Sequence, residues 1–342
     1  MVNISAVLYV DDDNIEGSDD MEMFLNALTD VTRRLWPTSR PLTAAGLGLL
    51  AVFGVMLAGL AVDPPVITGA PAWLKPAKFA ISTGVYALTL AWVMTYLRGW
   101  PRLTRLVGWS TAAVMVIEVA LIGLQAARGV TSHFNVATTF DTAVFAVMGI
   151  SILVAWAMAV ALTVALFRQA FADPALGSAI RVGMLITVIG SGAGGLMTPP
   201  TNAQLEAART TRSMPVSGAH TVGAADGGPG LPGTGWSREH GDLRVPHFLG
   251  LHAIQAIPSV LWLIGLASPE VRRRAVLVVS LSYASLFAIL LGQALSGQSV
   301  VAPQGAALTA LIGWLVATAL GVVFVWLARR DSLQTMPVMV AR

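Results

Sequence analysis

The sequence predicts an all-α integral membrane protein with eight transmembrane helices. Only 11% of the 342 residues are charged and 55% are hydrophobic, whereas an average soluble domain is about one quarter charged. The mean hydropathy is +0.72. This composition excludes a disordered chain, a nucleic-acid binder and an ordinary soluble enzyme. Because the chain has no cysteine, disulfides, iron–sulfur clusters and cysteine–zinc sites are excluded as well.

The apolar runs give the number of spans. A helix that crosses the hydrocarbon core needs about 20 mostly apolar residues. Eight runs meet this requirement: Leu42–Val62, Ala77–Leu97, Leu106–Ala126, Thr139–Phe167, Ser178–Met197, Pro246–Ala267, Ala275–Leu295 and Ala306–Leu327. The glycine-rich end of the fifth run, from Gly190 to Gly195, lacks the Lys-Ser/Thr of a phosphate loop, and no nucleotide site is predicted. Its small residues favour close helix approach instead.

Both ends of the chain lie outside the predicted bundle. Residues 1–18 form an acidic stretch predicted to be disordered, and residues 331–342 form a cytoplasmic tail. Between the first stretch and the first span, residues 19–39 predict an amphipathic helix on the cytoplasmic face, because apolar residues recur at helical spacing. They are Phe24, Leu28, Val31 and Leu35. This helix is expected either on the membrane surface or against the cytoplasmic face of the protein itself.

The distribution of positive charge predicts the orientation. With both termini inside, 14 of the 21 Lys and Arg residues fall on the cytoplasmic side, as the positive-inside rule requires. The protein is therefore predicted in a cytoplasmic (inner) membrane, with both termini inside. All five histidines then fall on the outer side.

Recurring residues at helix ends indicate two parallel repeats, residues 40–167 and 178–330. Asp63-Pro64-Pro65 matches Thr198-Pro199-Pro200, and Lys78-Phe79 matches His247-Phe248. Gln125-Ala126 with Gly129 matches Gln293-Ala294 with Gly297. Four spans per half would keep both halves in the same orientation. The alternative is convergent chemistry at helix ends.

The longest predicted loop, residues 198–245, is expected to cap the outer side. Residues 201–217 are predicted to be mobile. The later part, from His220 onward, mixes Gly and Pro with ionisable residues and is predicted to be ordered over a site. A solvated loop is the alternative interpretation.

Four histidines form the candidate metal site. They are His133, His220, His247 and His252. Several neutral imidazoles in a partly apolar site suit a transition metal ion or haem b, with His133 and His252 as candidate haem ligands. The alternative for His252 is a buried hydrogen bond between helices.

Four charged residues are the candidate catalytic groups. They are Glu118, Arg128, Asp141 and Asp242. Glu118 lies well inside a span, where a carboxylate is costly, so it is a candidate proton carrier or partner of a buried cation. A neutral, hydrogen-bonded structural role is its alternative. Asp141 begins the fourth span and is also expected as a helix cap, and Asp141 and Asp242 could orient histidine rings.

Three segments together resemble an uncharacterised family of multi-pass bacterial membrane proteins. They are Gln125–Asn135, which contains Ser-His-Phe-Asn, then His220-Thr221-Val222-Gly223, and Gly241–His252, which contains Gly-Asp-Leu-Arg and His-Phe-Leu-Gly-Leu-His. The resemblance covers most of residues 70–300 and brings no assigned activity. It implies only that these segments belong to one unit.

The leading functional hypothesis is a metal- or haem-dependent membrane oxidoreductase acting on a lipid-soluble or periplasmic small molecule. The second is a proton-coupled transporter or permease that uses the interface between the two halves, with Glu118 and His252 as a proton relay. A non-catalytic membrane sensor or assembly factor is the third. The lipid bilayer is the predicted environment, no nucleic-acid partner is expected, and homo-oligomers are compatible with the sequence.

Overall fold

The computed structural model describes residues 17–62, 66–265 and 267–334. Residues 1–16 of the predicted 1–18 tail, the Asp63-Pro64-Pro65 motif and residues 335–342 of the predicted C-terminal tail lie outside the described residues. The remaining residues of the two predicted tails, 17–18 and 331–334, belong to helices. Helices make up 72% of the structure, which confirms an all-α protein. Seven of these helices are long and apolar enough to cross a membrane, which confirms an integral membrane protein.

Eleven α-helices occur in the described residues, and a short 3₁₀ helix, Gly194–Met197, follows the sixth of them. The α-helices are α1 (Gly17–Leu35), α2 (Arg40–Val62), α3 (Leu74–Met94), α4 (Pro101–Ala127), α5 (Thr139–Arg168), α6 (Pro174–Ala193), α7 (Asn202–Thr211), α8 (Arg244–Leu251), α9 (Ala253–Leu263), α10 (Pro269–Leu295) and α11 (Gly305–Gln334). Two antiparallel hairpins complete the structure: β1 (Val66–Ile67) with β2 (Ala70–Pro71), and β3 (Thr221–Val222) with β4 (Gly241–Asp242).

The predicted sixth span is not one helix. It is broken at His252 into α8 and α9, and α9 ends at Leu263 rather than continuing to Ala267. Side chains from neighbouring helices bind the backbone groups that flank the break. Thr187 Oγ1 on α6 donates to Leu251 O at 3.4 Å and accepts from the amide of Ile254 at 3.3 Å. A broken helix is tolerated in a membrane only where such partners satisfy the backbone.

The helices pack in two groups of the same design. In the first group α2, α3 and α4 contact one another, and α5 packs on α4. In the second group α6, the α8–α9 pair and α10 contact one another, and α11 packs on α10. Contacts between α5 and α6 join the groups. A shared apolar core includes Leu42, Leu90, Leu162, Ile180 and Ile254.

Helix α1 packs on the end of the bundle from which α2 starts. Its last residue, Leu35, is buried in the shared core, whereas Val31 and Met23 are exposed. The helix runs from Gly17 to Leu35, so it is shorter at its C-terminal end than the predicted 19–39 segment. It contacts α2 and α3.

The segment between α6 and α8, residues 198–243, lies at one end of the bundle, which we call the cap end. Residues 201–217, which the sequence predicts to be mobile, contain the helix α7 at Asn202–Thr211. The Thr201 hydroxyl and the Gln204 side chain form a reciprocal capping box at its start, an arrangement that stabilises a helix N-terminus. Gln204 also binds both backbone groups of Gly218, which ties α7 to the rest of the cap.

Candidate functional site

A group of ionisable side chains gathers beneath the cap. The group, which we call the polar cluster, comprises Lys75, Glu118, His133, His220 and His247. Lys75 lies in the first turn of α3 and Glu118 in α4, whereas His133 lies in the loop between α4 and α5. The segment before β3 supplies His220 and the first turn of α8 supplies His247. His133 interacts electrostatically with Lys75 and with both other histidines.

Each of the three histidines is held through its Nδ1 atom. His220 Nδ1 lies 2.6 Å from Asp226 Oδ2, and His247 Nδ1 lies 2.8 Å from Gly190 O. The hydroxyl of Ser132 lies 3.0 Å from His133 Nδ1. Since a carboxylate and a carbonyl only accept, Nδ1 carries the proton in His220 and His247, and their Nε2 atoms are acceptors when the rings are neutral.

Phenylalanine rings from the first half of the chain pack against two of the histidines. The ring centroids of Phe79 and His133 are 5.6 Å apart, and those of Phe134 and His220 are 4.8 Å apart. Phe134 adopts a positive φ of 63° and is buried, so the turn at residues 132–135 projects its ring into the cluster. The histidines are therefore half-buried beside apolar rings, and the side chain of His220 is 20% exposed.

Burial decides the charge of the groups in the cap and the loops. Burial lowers the pKa of His133 well below its usual range, and the charge of Lys75 acts in the same direction. Burial also lowers the pKa of His220, although its hydrogen bond to Asp226 opposes this effect. Burial alone would raise the pKa of Asp226, but hydrogen bonds from His220 and from the amide of Thr221 hold it below its ordinary value. The histidines are therefore neutral, and Asp226 is ionised.

Glu118 is the one carboxylic acid of the polar cluster. It is 1% exposed, and neither carboxylate oxygen has a hydrogen-bond partner within the described part of the chain. Lys75 interacts with it electrostatically, but no ion pair joins the two among these residues. Unpaired carboxylates are rare inside membrane proteins because desolvation is costly. The predicted alternative of a hydrogen-bonded structural Glu118 does not match this environment.

Two predicted catalytic residues bind each other instead of the cluster. Arg128 and Asp141 form an ion pair with 2.6 Å between Nη1 and Oδ1. Gln125 Nε2 donates to the same oxygen at 2.9 Å, and the Thr138 hydroxyl donates to Oδ2 at 2.6 Å. The N-cap of α5 is Thr138 rather than Asp141, which supports the cap from the third helical position. This network fixes the α4–α5 connection.

The carboxylate of Asp242 likewise accepts hydrogen bonds from its own neighbours rather than from the polar cluster. Its buried carboxylate accepts from Arg244 Nη2 at 2.6 Å, from Arg244 Nε at 2.9 Å and from the amide of Ser237 at 2.8 Å. Arg244 also donates to Gly235 O at 2.7 Å. Asp242 therefore orients no histidine ring in this structure. Asp226 has that role, and the sequence analysis did not assign it.

His252 is separate from the other three candidate metal ligands. It lies at the α8–α9 break, where its ring centroid is 4.3 Å from that of Phe248. Gln255, one turn further, donates to Thr89 Oγ1 of α3 at 3.3 Å. Within residues 17–62, 66–265 and 267–334, no three His, Asp or Glu side chains are arranged to hold a metal ion.

Lys75 is a further member of the site that its sequence position did not indicate. It precedes the apolar run that starts at Ala77, which predicts a charge outside the membrane. In the structure α3 already begins at Leu74, so Lys75 belongs to its first turn and faces the polar cluster. Pro76 at the third helical position is the signal that could have revealed this early start.

Comparisons with protein families, with curated proteins and with solved structures find no match to this chain. The resemblance to the multi-pass bacterial family therefore stays a prediction. Function has to be argued from the geometry of the polar cluster.

The neutral histidines predict a loss of stability in acid. The unfolded chain binds a proton at each histidine below about pH 6.5, whereas burial keeps His133 and His220 neutral in the folded state. Stability is therefore expected to fall as the pH drops through about 6.5, because the unfolded state binds more protons. The thermal midpoint of detergent-purified protein, measured from about pH 7.5 to about pH 5.5, checks this. In His133→Gln the slope should be shallower, and an unchanged slope contradicts the assignment.

Proposed function

We propose that this protein is a proton-coupled membrane transporter whose polar cluster takes up and releases the coupling proton. One observation carries the proposal: the Glu118 carboxylate is buried without a hydrogen-bond partner and lies within electrostatic range of Lys75. An acid in such a place is a candidate for a proton carrier, since protonation removes its desolvation cost. A structural acid would be paired, as Asp141 is.

The position of the polar cluster supports this proposal. Lys75, Glu118 and His133 come from the first half of the chain, and His220 and His247 come from the second half. The groups thus meet where the two halves meet, and relative movement of the halves would change their mutual distances. Transporters built from two repeats bind substrate and coupling ion at this kind of interface.

We further propose that the two halves are repeats of each other and that α8 and α9 together form an eighth span. The halves share a packing order, and their third spans, α4 and α10, also end in the same way. Gly129 and Gly297 have φ values of 72° and 74°, and each donates its amide to the residue three positions earlier at 3.0 Å. The residues after them, Val130 and Gln298, each donate at 3.1 Å to a buried glutamine carbonyl. Such agreement favours repeats over convergent helix ends.

The broken α8–α9 segment fits the same interpretation. Discontinuous helices in transporters occur at the binding site, near the middle of the membrane. His252 marks the break, and the side chain of Gln255, one turn further along α9, interacts with it. Gln255 also contacts Thr89 of the other half. The side chains of His252, Gln255 and Thr89 would continue the polar path from the polar cluster toward the middle of the membrane.

The proposed orientation places both termini in the bacterial cytoplasm and the cap outside. If the spans α2, α3, α4, α5, α6, α8–α9, α10 and α11 cross the membrane in turn, the short connections after α3, α5 and α9 lie at the end opposite the cap. The arginines of that end include Arg98, Arg168, Arg272, Arg273 and Arg274. Their concentration there agrees with the positive-inside rule.

The test measures proton movement in proteoliposomes that contain a pH-sensitive dye. External amino acids, monosaccharides and carboxylic acids are added one at a time, and substrate-driven acidification or alkalinisation is recorded. Glu118→Gln should lose this signal. Glu270→Gln is the matched control, because Glu270 is ion-paired with Arg273 and Arg274 at the other end of the bundle.

A second readout needs no substrate. Infrared difference spectra of the purified protein between acidic and alkaline buffer should contain the C=O stretch of a carboxylic acid that is absent in Glu118→Gln. Identical spectra for both proteins would overturn the assignment of Glu118 as the proton carrier.

The metal- or haem-dependent oxidoreductase remains a second candidate because of one specific observation. His220 pairs its Nδ1 with a carboxylate at 2.6 Å, an arrangement that orients metal-ligating histidines in many proteins. The test is an absorbance spectrum of oxidised and reduced protein together with elemental analysis. A Soret band or a stoichiometric metal that is lost in His220→Ala would replace the transporter proposal.

A further inference from the structure

A groove opens on the membrane-facing surface between α5 and α6, far from the polar cluster. It encloses about 340 Å³ and is lined by Val160, Thr163, Val164, Phe167, Arg168, Leu185 and Val188. Val164, Leu185 and Phe167 are exposed, so no part of the described chain covers them. Arg168 is the one charged lining residue in this groove.

The depth of the groove matches that of one membrane leaflet. From Val160 to Arg168 the α-helix rises about 12 Å, and one half of the hydrocarbon core is about 15 Å thick. Arg168 ends α5, so it lies where the span meets the interface, while Val160 lies deeper. An occupant of this groove is therefore embedded in lipid and has its polar end beside Arg168.

Two free guanidinium groups lie at the open end. Arg168 and Arg98 are exposed and form no ion pair within the described residues. The backbone amide of Arg98 donates to Gln169 Oε1 at 2.9 Å, which brings Arg98 next to the residue that follows Arg168. Three other arginines at this end are ion-paired: Arg272 with Asp173, and Arg273 and Arg274 with Glu270.

Hydrogen bonds fix the walls of the groove. Arg181 on α6 donates from Nε to Leu166 O at 3.0 Å and from Nη2 to Gln169 O at 2.6 Å. One turn before Val160, Trp156 Nε1 donates to the backbone oxygen of the lining residue Val188 at 3.0 Å. The groove is thus a fixed feature of the α5–α6 contact, which also joins the two halves of the chain.

We propose that the α5–α6 groove binds an anionic phospholipid, with one acyl chain in the groove and the phosphate at Arg168 and Arg98. The apolar lining suits the chain, and the two guanidinium groups suit a phosphate, which arginine binds through paired hydrogen bonds. Basic pockets between transmembrane helices at an interface bind such headgroups. This site is independent of the proposed transport function and goes beyond it.

The test counts bound lipid by native mass spectrometry of the full chain released from nanodiscs. Phosphatidylglycerol should stay bound to the native protein at concentrations where phosphatidylcholine dissociates. In Arg168→Gln the affinity for phosphatidylglycerol should fall about tenfold, the effect of one lost charge-assisted contact. Arg105→Gln is the matched control, because Arg105 is an exposed arginine at the same end of the bundle.

Two further measurements show whether the acyl chain and the headgroup are both required for binding. Val164→Trp fills the groove and should abolish retention of phosphatidylglycerol while leaving both arginines in place. Glycerol 1-phosphate, which has the headgroup charge without an acyl chain, should not bind. Equal binding of both phospholipids, or equal loss in Arg168→Gln and Arg105→Gln, would overturn the site in favour of general surface attraction.

Discussion

Gly190→Ala is expected to destabilise the protein by about 3 kcal/mol, the upper part of the range for an overpacked site. A Cβ atom on Gly190 would lie 2.4 Å from the Cα of Gly250, where helices α6 and α8 cross. Both partners are backbone, so no side chain can move aside, and the helices would have to separate. Separation would also strain the hydrogen bond from His247 to Gly190 O. The measurement is the thermal midpoint in detergent.

Gly149→Ala is the matched control for this prediction. Gly149 lies within α5, and a Cβ atom there would meet nothing within 4 Å. Since alanine favours a helix over glycine by about 1 kcal/mol, this variant should be as stable as the native protein or more stable. When Gly190→Ala and Gly250→Ala are combined, the second substitution should cost less than the first, because the helices have already separated at the contact that both positions share. An unchanged midpoint for Gly190→Ala would show that the two helices do not cross this closely.

Hydropathy was sufficient to predict the class and most of the spans. Lipid leaves a helix few alternatives, because every backbone group must be satisfied within the segment. Seven of the eight predicted runs therefore correspond to helices, and the small residues at Gly190 do mark a close helix crossing. The break at His252 could not be predicted from hydropathy. It depends on Thr187, a residue 65 positions earlier that binds the interrupted backbone.

The polar cluster was predicted only in part, for a related reason. Residue type indicated His133, His220, His247 and Glu118, since ionisable groups in or near spans are costly. Whether an ionisable group is free or paired depends on neighbours that are distant in sequence. Arg128 and Asp141 form an ion pair with each other, and Asp242 forms one with Arg244. Lys75, which appeared to be a loop charge, instead faces the cluster.

Replacing Glu118 by methionine is expected to stabilise the protein and to abolish proton coupling. The native carboxyl group is buried without a hydrogen-bond partner in the described residues, so its desolvation is not offset. Methionine has a similar length and needs no partner, and the gain should be on the order of 1 kcal/mol. Glu118→Gln keeps a polar group in the same place and should leave the thermal midpoint close to that of the native protein. Both variants should lack substrate-driven proton movement.

Asp141→Leu supplies the contrast that separates the two kinds of buried acid. Asp141 is 3% exposed, similar to Glu118, but it accepts hydrogen bonds from Gln125, Arg128 and Thr138. Its removal leaves these donors unpaired, so the thermal midpoint should fall. If Glu118→Met stabilises the protein and abolishes proton coupling, then Glu118 is retained for function at the expense of stability. Such a cost is expected where activity requires a strained or unsatisfied site. If Glu118→Met were destabilising, Glu118 would be structural, and the case for a proton carrier would fail.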